Sequence, residues 1–230
     1  MSRPASFRRD CALSGLFYLG LAICGGVGFL VIRPELFAQG DPAQTLANLV
    51  QREGLARVGV ALELGVATFQ AVAAVWFAKL FRDHDAIAAG TLALFGAVNA
   101  IMLLVSAALL RAALDVAAGR AGVDAAASHL LMLISMRVWD VANVFFGLWL
   151  IPMGWLALKA SLGPRVLGWI LIVGGVGYVP LPFIGVLAPN AGAWVGLFSV
   201  PASIGEFWMI GLLLWTAIRS TERASARLGV

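Results

Sequence analysis

The sequence predicts an all-α, polytopic membrane protein: a six-transmembrane-helix bundle with a cytoplasmic N-terminus and C-terminus. Of its 230 residues, 61% are hydrophobic and only 12% are charged, whereas a soluble domain has roughly 25% charged residues. Six apolar runs each approach or exceed the ~20 residues that a membrane-spanning helix needs. Because the runs lack the short alternating pattern of barrel strands, we expect them to be helices.

The predicted spans cover the chain as a single integral membrane domain, residues 1–230. They lie at about 13–32, 58–78, 86–110, 130–158, 166–188 and 195–218. The first run follows three arginines and could be confused with a signal peptide. It is longer than the apolar core of such a peptide, and no small-residue cleavage site follows it, so we interpret it as a retained span.

The distribution of basic residues predicts the orientation, because cytoplasmic loops carry more Lys and Arg than outer loops. With the N-terminus inside, the cytoplasmic segments hold ten basic residues, namely Arg3, Arg8, Arg9, Lys79, Arg82, Lys159, Arg165, Arg219, Arg223 and Arg227. The outer segments hold five, namely Arg33, Arg52, Arg57, Arg111 and Arg120. Both termini are therefore expected in the cytoplasm, in agreement with an even number of spans.

The two longer loops are both expected outside. The first begins at Arg33-Pro34 and contains Asp41-Pro42-Ala43-Gln44, in which Asp suits the N-cap and Pro the first position of a helix. We expect a short external amphipathic helix over 42–53, lying on the membrane surface or capping the bundle. The second loop, residues 111–128, is rich in alanine, which would allow the third helix to extend into it.

The tetrapeptide Gly-Gly-Val-Gly occurs twice, at Gly25–Gly28 and Gly174–Gly177. Glycine lets neighbouring membrane helices approach closely. We interpret both copies as sites of close helix packing, since their flanking sequences do not align as a repeat would.

Ionisable residues inside the apolar runs are the strongest functional indication. A charge in the hydrocarbon core costs at least about 2.5–3.5 kcal/mol, so such groups usually face a partner, a cavity or a pathway. Glu206 precedes Arg219 by thirteen residues, which puts it ~20 Å from that end of the sixth span, near the midplane. Ser199, Ser203 and Glu206 share one helix face, and Pro201 is expected to bend the helix one turn before Glu206.

Further polar residues lie in the second, third and fourth spans. Glu63 is near the outer end of the second span, and Gln70 shares its face seven residues later. Asn99 is near the middle of the third span. Asp140 and Asn143 are three residues apart in the fourth span, so their side chains are roughly in line along the helix.

The depth of Arg137 stays open. It precedes Asp140 by three residues in a run, 130–158, that is longer than a bilayer requires. Arg137 lies either within the membrane or in the headgroup layer, where Trp139 would act as an interfacial anchor.

Two functional hypotheses follow. In the first, the protein is a small transporter-like or ligand-binding membrane protein with an outward-facing polar site, in which Glu206 accepts a proton or cation. Glu63 and Asp140 would line the opening and Arg137 would balance charge. Proline residues in the fifth span, Pro180-Leu181-Pro182, would free backbone carbonyls. Hydrogen bonds would come from Gln70, Asn99, Asn143, Ser199 and Ser203.

In the second hypothesis, the protein is a structural or accessory membrane subunit whose charges only hold helices together. Arg137 would then pair with Asp140, Glu63 or Glu206. The partners expected overall are the lipid bilayer and, under the first hypothesis, a small cation, a proton or a polar solute. The sequence indicates no particular oligomeric state.

Several classes of protein are disfavoured by what the sequence lacks. No metal, haem or other cofactor is expected: the two histidines, His84 and His129, fall at loop positions, and no CxxC or HExxH motif is present. The absence of a P-loop and of an RNA-binding aromatic motif argues against nucleotide and nucleic-acid binding. An intramembrane enzyme that uses carboxylates stays open, although the sequence favours a protein without enzymatic activity.

Four segments carry a family resemblance: Phe145–Leu150, Gly154–Leu156, Ser161–Gly168 and Gly174–Tyr178. Their sequences are FFGLWL, GWL, SLGPRVLG and GGVGY. In this order they correspond to a helix, a short basic turn and the helix that follows it. This pattern resembles bacterial membrane proteins catalogued as domain of unknown function 4386. Weaker matches lie at Arg9, Gly15, Tyr18, Gly40, Asp41, Asn48, Glu53, Arg57, Gly205 and Glu206, so that the resemblance covers roughly residues 8–219.

The resemblance implies the fold and a multi-pass location in a bacterial cytoplasmic membrane, but no activity. Members of this family often carry an arginine in the third span. Here the corresponding stretch, Phe95–Asn99, has no basic residue.

Overall fold

The computed structural model describes residues 5–119 and 125–228. Every regular element in this part of the chain is a helix. Two arginines that enter the orientation count, Arg3 and Arg120, lie outside the described residues, as do the side chains of Arg219, Arg223 and Arg227. Residues 120–124 of the second predicted outer loop also lie outside them.

The described chain contains nine α-helices and two helical segments of other pitch. The α-helices are α1 (Ala5–Gly25), α2 (Arg33–Leu36), α3 (Pro42–Gln51), α4 (Glu53–Phe81), α5 (Ala86–Ala117), α6 (Ala125–Lys159), α7 (Arg165–Tyr178), α8 (Leu181–Leu187) and α9 (Val200–Leu228). A π-helical segment, Gly26–Ile32, joins α1 to α2, and a 3₁₀-helix, Ala193–Ser199, precedes α9.

Six helical stretches are long and apolar enough to cross a membrane, which confirms the predicted six-span, all-α fold. They are Ser6–Leu36, Glu53–Phe81, Ala86–Ala117, Ala125–Lys159, Arg165–Leu187 and Trp194–Ile218. The chain is therefore a multi-pass membrane protein.

The structure differs from the sequence-based expectation at Arg33, where the first outer loop was expected to begin. The helix instead continues through the π-helical segment and α2 to Leu36. Pro34 permits this because it lies in the first turn of α2, where a missing backbone N–H breaks no helical hydrogen bond. Arg33 is consequently a residue of the first membrane-spanning stretch, and it is buried.

The short helix α3 packs by one face. Asp41 caps it, its carboxylate accepting a hydrogen bond from the Gln44 N–H at 2.9 Å. Leu49 is fully buried in a cluster that includes Ile32, Leu36 and other apolar residues of α4, α5 and α6. Leu49 therefore packs α3 against the core, and Asp41 stabilises the first turn of the helix.

The fifth and sixth stretches are interrupted by changes in helical structure near their prolines. α7 ends at Tyr178, and α8 begins at Leu181 after Pro180. Pro201 was expected to bend the sixth span, but it is the second residue of α9. A proline in a first turn causes no bend by itself, so the irregularity before Glu206 is the preceding 3₁₀-helix.

The chain divides into two compact units. The first comprises Met1–Leu19, Gln70–Val98 and Asn143–Val230, and the second comprises Gly20–Phe69 and Asn99–Ala142. Each unit contains buried polar side chains.

Glycines allow α6, α7 and α9 to pack closely in the first unit. A Cβ atom at Gly147 would lie 2.7 Å from the carbonyl oxygen of Gly175, and one at Gly174 would lie 2.5 Å from the Cα of Ala202. Neither site can accept a side chain without a shift. The second Gly-Gly-Val-Gly copy is therefore a close-packing site, as expected.

The first copy does not pack closely. A Cβ at Gly25 would meet no atom nearer than 3.9 Å, and one at Gly26 would meet nothing within 4 Å. The segment leads into the π-helix instead, so the interpretation of this copy as a close-packing site was wrong.

Candidate functional site

The residues proposed from the sequence are distributed over both compact units. Gln70, Asn143, Ser199, Ser203 and Glu206 belong to the first unit. Glu63, Asn99, Arg137 and Asp140 belong to the second.

Glu206 is joined to Tyr18 in the first unit. The Tyr18 hydroxyl donates a hydrogen bond of 2.6 Å to Oε1 of Glu206. This bond connects α1 to α9, and Tyr18 is buried while Glu206 is half-buried. Tyr18 was not among the residues predicted for the site. A signal was present in the sequence, because Asp10, Ser14 and Tyr18 recur every four residues, which places them on one helix face.

Among the side chains that the structure describes, no cation forms an ion pair with Glu206. Near the start of α1, Lys79 Nζ lies 2.9 Å from Oδ1 of Asp10. Glu206 is therefore a carboxyl group in a membrane-spanning helix whose observed partner is a neutral phenol.

Two aromatic rings hold the Tyr18 side chain in place. The Tyr18 ring packs edge-on against Phe77 at 5.4 Å and Trp149 at 5.7 Å between centroids, and Phe77 and Trp149 are 5.6 Å apart. Trp149 and Phe77 are fully buried. The indole Nε1 of Trp149 has no hydrogen-bond partner among the described residues. The hydroxyl is thus fixed by packing rather than by a second strong partner.

Two further polar side chains of this unit are buried with unused hydrogen-bonding capacity. The Ser14 hydroxyl and both amide atoms of Gln70 have no hydrogen-bond partner among the described residues. Both side chains are completely buried. Ser14 lies one turn before Tyr18 on α1, and Gln70 lies two turns before Phe77 on α4. Buried polar groups in folded proteins bond to protein or to internal water, so these positions favour internal hydration.

The serines before Glu206 are used locally. Ser199 donates to the carbonyl of Gly196 at 2.7 Å, and the exposed Ser203 donates to the carbonyl of Ser199 at 3.5 Å. Because Ser199 ends the 3₁₀-helix, the expected single helix face through Ser199, Ser203 and Glu206 is interrupted.

Asn143 is half-buried on α6. Asn143 belongs to the first unit, whereas Asp140, three residues earlier on the same helix, belongs to the second.

The second unit contains a buried ion pair that sequence reasoning missed. Arg33 donates to Oε1 of Glu63 through Nε at 2.8 Å and through Nη2 at 2.5 Å. Arg33 is 3% exposed and Glu63 is 2% exposed. Arg33 was expected in a loop because a proline follows it. Arg137 was therefore the predicted partner of the buried acids.

Two serines extend the hydrogen bonding of this pair, although Arg33 Nη1 has no partner among the described residues. Ser106 of α5 and Ser135 of α6 accept from Arg33 Nη2 at 2.8 and 2.7 Å, and Ser106 also lies 3.0 Å from Oε2 of Glu63. Each serine further donates to the other's backbone carbonyl. Four helical stretches therefore meet at one charged group, which makes the network well suited to holding helices together.

Aromatic rings cover the remaining side of Arg33. The guanidinium carbon is 5.7 Å from the centroids of both Phe29 and Trp139, and these two rings stack 4.8 Å apart. This arrangement provides cation–π contacts. Trp139 was expected as an interfacial anchor, and here it covers the buried Arg33.

Of the other predicted residues of this unit, Arg137 and Asp140 form a local pair, and Asn99 joins α5 to α6. Arg137 pairs with Asp140 at 2.8 Å, and their side chains are 67% and 46% exposed. Asn99 is buried and its amide nitrogen donates to the carbonyl of Ala142 at 3.0 Å. Arg137 therefore pairs with Asp140, one of the three partners considered, and not with Glu63.

A charged contact outside the spans fixes the turn between α4 and α5. Asp85 accepts hydrogen bonds from Lys159 Nζ at 2.8 Å, from the Ala88 N–H at 3.0 Å and from Trp155 Nε1 at 3.3 Å. The bond from Lys159 above all, followed by those from Ala88 and Trp155, lowers the pKa of Asp85 to about 2.

Comparison with known proteins identifies a family. The sequence profile of the family described as "Domain of unknown function (DUF4386)" matches residues 13–217, which is most of the chain. No curated protein and no solved structure matches the chain. The chain therefore belongs to the family of domain of unknown function 4386.

Proposed function

We propose that this protein is a small transporter-like or ligand-binding membrane protein in which Glu206 accepts a proton or a small cation. The observation that carries the proposal is the pairing of Glu206 with the Tyr18 hydroxyl, at 2.6 Å, in place of a cationic side chain. A carboxyl group in a spanning helix is costly when it is charged and uncompensated, and groups of this kind commonly serve ion pathways and proton relays.

The contrast with Glu63 supports this assignment. Glu63 is bound by Arg33 and Ser106, and its charge is compensated within the protein. Glu206 has a neutral partner, so the binding of a proton or a cation would change its charge balance. We therefore narrow the proposed exchange site to Glu206 and Tyr18, with Gln70, Asn143, Ser199 and Ser203 as candidate polar neighbours in the same unit.

The structural alternative applies best to the second unit. Glu63 and Arg33 connect several helical stretches, and the exposed Arg137–Asp140 pair is local to α6. We infer that Glu63, Asn99, Arg137 and Asp140 stabilise the fold and take no part in proton or cation exchange. A protein with this network alone would fit a structural or accessory subunit.

We infer that the protein resides in the bacterial cytoplasmic membrane with both termini inside. Ten basic residues in one set of segments against five in the other support this orientation. The family resemblance supports the bacterial location.

The test is proton flux in proteoliposomes. Purified protein is reconstituted with a pH-sensitive dye trapped inside, and Na⁺, K⁺ and methylammonium are applied outside in separate runs. We expect at least one of these cations to drive a proton flux that is lost in Glu206→Gln.

The matched control is Asp140→Asn, which also removes one carboxylate from a spanning helix but at an exposed local pair. Flux that persists in Asp140→Asn and vanishes in Glu206→Gln supports the proposal. Flux of equal size in wild type and Glu206→Gln, or no proton movement with any of the three cations and no change in the protonation of Glu206 with pH, would overturn it in favour of the structural role.

A further inference from the structure

The polar face of α1 deepens the proposed function, on which this inference rests. We propose that protons reach Glu206 along α1, from Asp10 through Ser14 to Tyr18, with internal water molecules between these side chains. The route lies wholly within the first compact unit.

The spacing of the three side chains defines a line. Asp10, Ser14 and Tyr18 follow one another at four-residue intervals, so they lie on one face of α1 about 6 Å apart along the axis. All three are buried, with exposures of 8%, 0% and 1%. The Ser14 hydroxyl bonds directly to neither neighbour, so one or two water molecules between the side chains would connect them.

Asp10 is the residue at which protons would enter the route from solvent. Its side chain is 11% exposed and lies 2.9 Å from Lys79 Nζ, whose own side chain is 35% exposed. Arg9 Nε is 3.6 Å from the same carboxylate and is largely exposed. Asp10 therefore contacts both the solvent side and the buried face of α1.

The unpaired hydroxyl of Ser14 supports the presence of water between these side chains. Its hydroxyl is buried without a hydrogen-bond partner among the described residues. A buried hydroxyl of this kind costs roughly 1–3 kcal/mol if left unbonded, so occupancy by water is favoured. A hydroxyl can donate and accept at once, as each member of a proton relay must.

Tyr18 delivers the proton. Its O–H bond breaks as its proton is transferred to Oε1 of Glu206, which lies 2.6 Å from the phenol oxygen, and in the same step the phenol oxygen takes a proton from the water on the Ser14 side. The phenol is neutral before and after transfer. The net change is one proton removed from the water at the Asp10 end and one proton gained by the Glu206 carboxylate. Tyr178, the last residue of α7, is a further titratable side chain of this unit.

The test is the rate at which Glu206 is protonated after a rapid drop in pH, followed by time-resolved infrared spectroscopy of protein in lipid nanodiscs. The carboxylic-acid C=O band is assigned to Glu206 by its loss in Glu206→Gln. We expect Ser14→Ala to slow the appearance of this band by about tenfold or more without changing its final size, because a relay group contributes strongly to proton-transfer rates.

Thr91→Ala is the matched control, since Thr91 is an exposed hydroxyl of the same unit that bonds only within α5. Tyr18→Phe provides a second variant that keeps the ring packing and is expected to slow the band as well, should Ser14→Ala fold poorly. Unchanged rates in Ser14→Ala, or in Tyr18→Phe where Ser14→Ala does not fold, would overturn the route while leaving Glu206 as acceptor. Absence of a Glu206 band at every pH would overturn the proposed function itself.

Discussion

Tyr18 donates a 2.6 Å hydrogen bond to Glu206 across 188 residues of sequence. This contact joins the first and last membrane-spanning stretches through a phenol and a carboxyl group. A charged acceptor makes such a bond stronger than one between neutral groups. The protein therefore combines a structural link between two helices with a carboxyl group that no described cation compensates.

Tyr18→Phe is expected to reduce the free energy of unfolding in detergent by about 1.5–3 kcal/mol, the usual contribution of a hydrogen bond to a charged group. The ring contacts with Phe77 and Trp149 remain, so packing loss adds little. A double-mutant cycle with Glu206→Gln isolates the pair. Additive effects of the two substitutions would show that the hydroxyl and the carboxyl group do not interact energetically.

Loss of one partner of the Arg33–Glu63 pair is expected to be far more damaging. Glu63→Leu leaves Arg33 buried without its counter-charge and should cost about 3–5 kcal/mol. Replacing both residues, as Arg33→Met with Glu63→Leu, should recover most of that loss because no unpaired charge stays buried. The measurement is unfolding midpoint and free energy in one detergent.

Asp140→Asn is the control for this pair. Its partner Arg137 is exposed, and exposed ion pairs contribute about 0–1 kcal/mol. Equal destabilisation by Glu63→Leu and Asp140→Asn would contradict the assignment of Arg33–Glu63 as the buried link.

Gly174→Ala is expected to destabilise the protein by about 1–3 kcal/mol, the usual cost of overpacking. A Cβ at this position would lie 2.5 Å from the Cα of Ala202, which is backbone and cannot move aside cheaply. The comparison is Gly211→Ala on α9, where a Cβ meets nothing within 4 Å. That change should be neutral or stabilising by up to about 1 kcal/mol. Reversal of this order would contradict the close packing of α7 on α9.

The stability of the protein is expected to depend on pH through Asp85, which lies outside the spans. Its pKa is about 2 in the folded protein, below the value of about 3.9 for an unperturbed Asp. The contribution of Asp85 to stability is therefore fully present above about pH 4 and is lost as the pH falls towards 2. Unfolding midpoints measured across this range should fall less steeply in Asp85→Asn than in wild type. Parallel curves would show that Lys159 does not hold the carboxylate.

Hydropathy was sufficient to predict the six spans, because long apolar runs depend on composition and length alone. The burial of Arg33 could not be predicted in the same way. Arg33-Pro34 is typical of a helix end, and only the carboxylate of Glu63 with Ser106 and Ser135 makes its burial favourable. That compensation depends on residues 30 to 102 positions away.

Glu206 could be selected from the sequence because a lone acid in an apolar run is costly. Its partner could not, since a tyrosine in an apolar span is usually read as a core aromatic residue. Ser199 was placed on the Glu206 face by assuming one continuous helix, and the 3₁₀-helix before α9 changes that register. Long-range pairing and local changes of pitch are the features that the sequence pattern left undetermined.

Exchange of a proton or cation at Glu206, with Glu63 held by Arg33, can be measured by infrared difference spectra of wild type and Glu206→Gln in lipid, recorded as pH is changed and as Na⁺, K⁺ or methylammonium is added. We expect a carboxylic-acid C=O band that changes with pH or with one of these cations and is absent in Glu206→Gln. If no Glu206 band changes under any of these conditions, and Glu206→Gln destabilises the protein, Glu206 is a structural residue and takes no part in exchange.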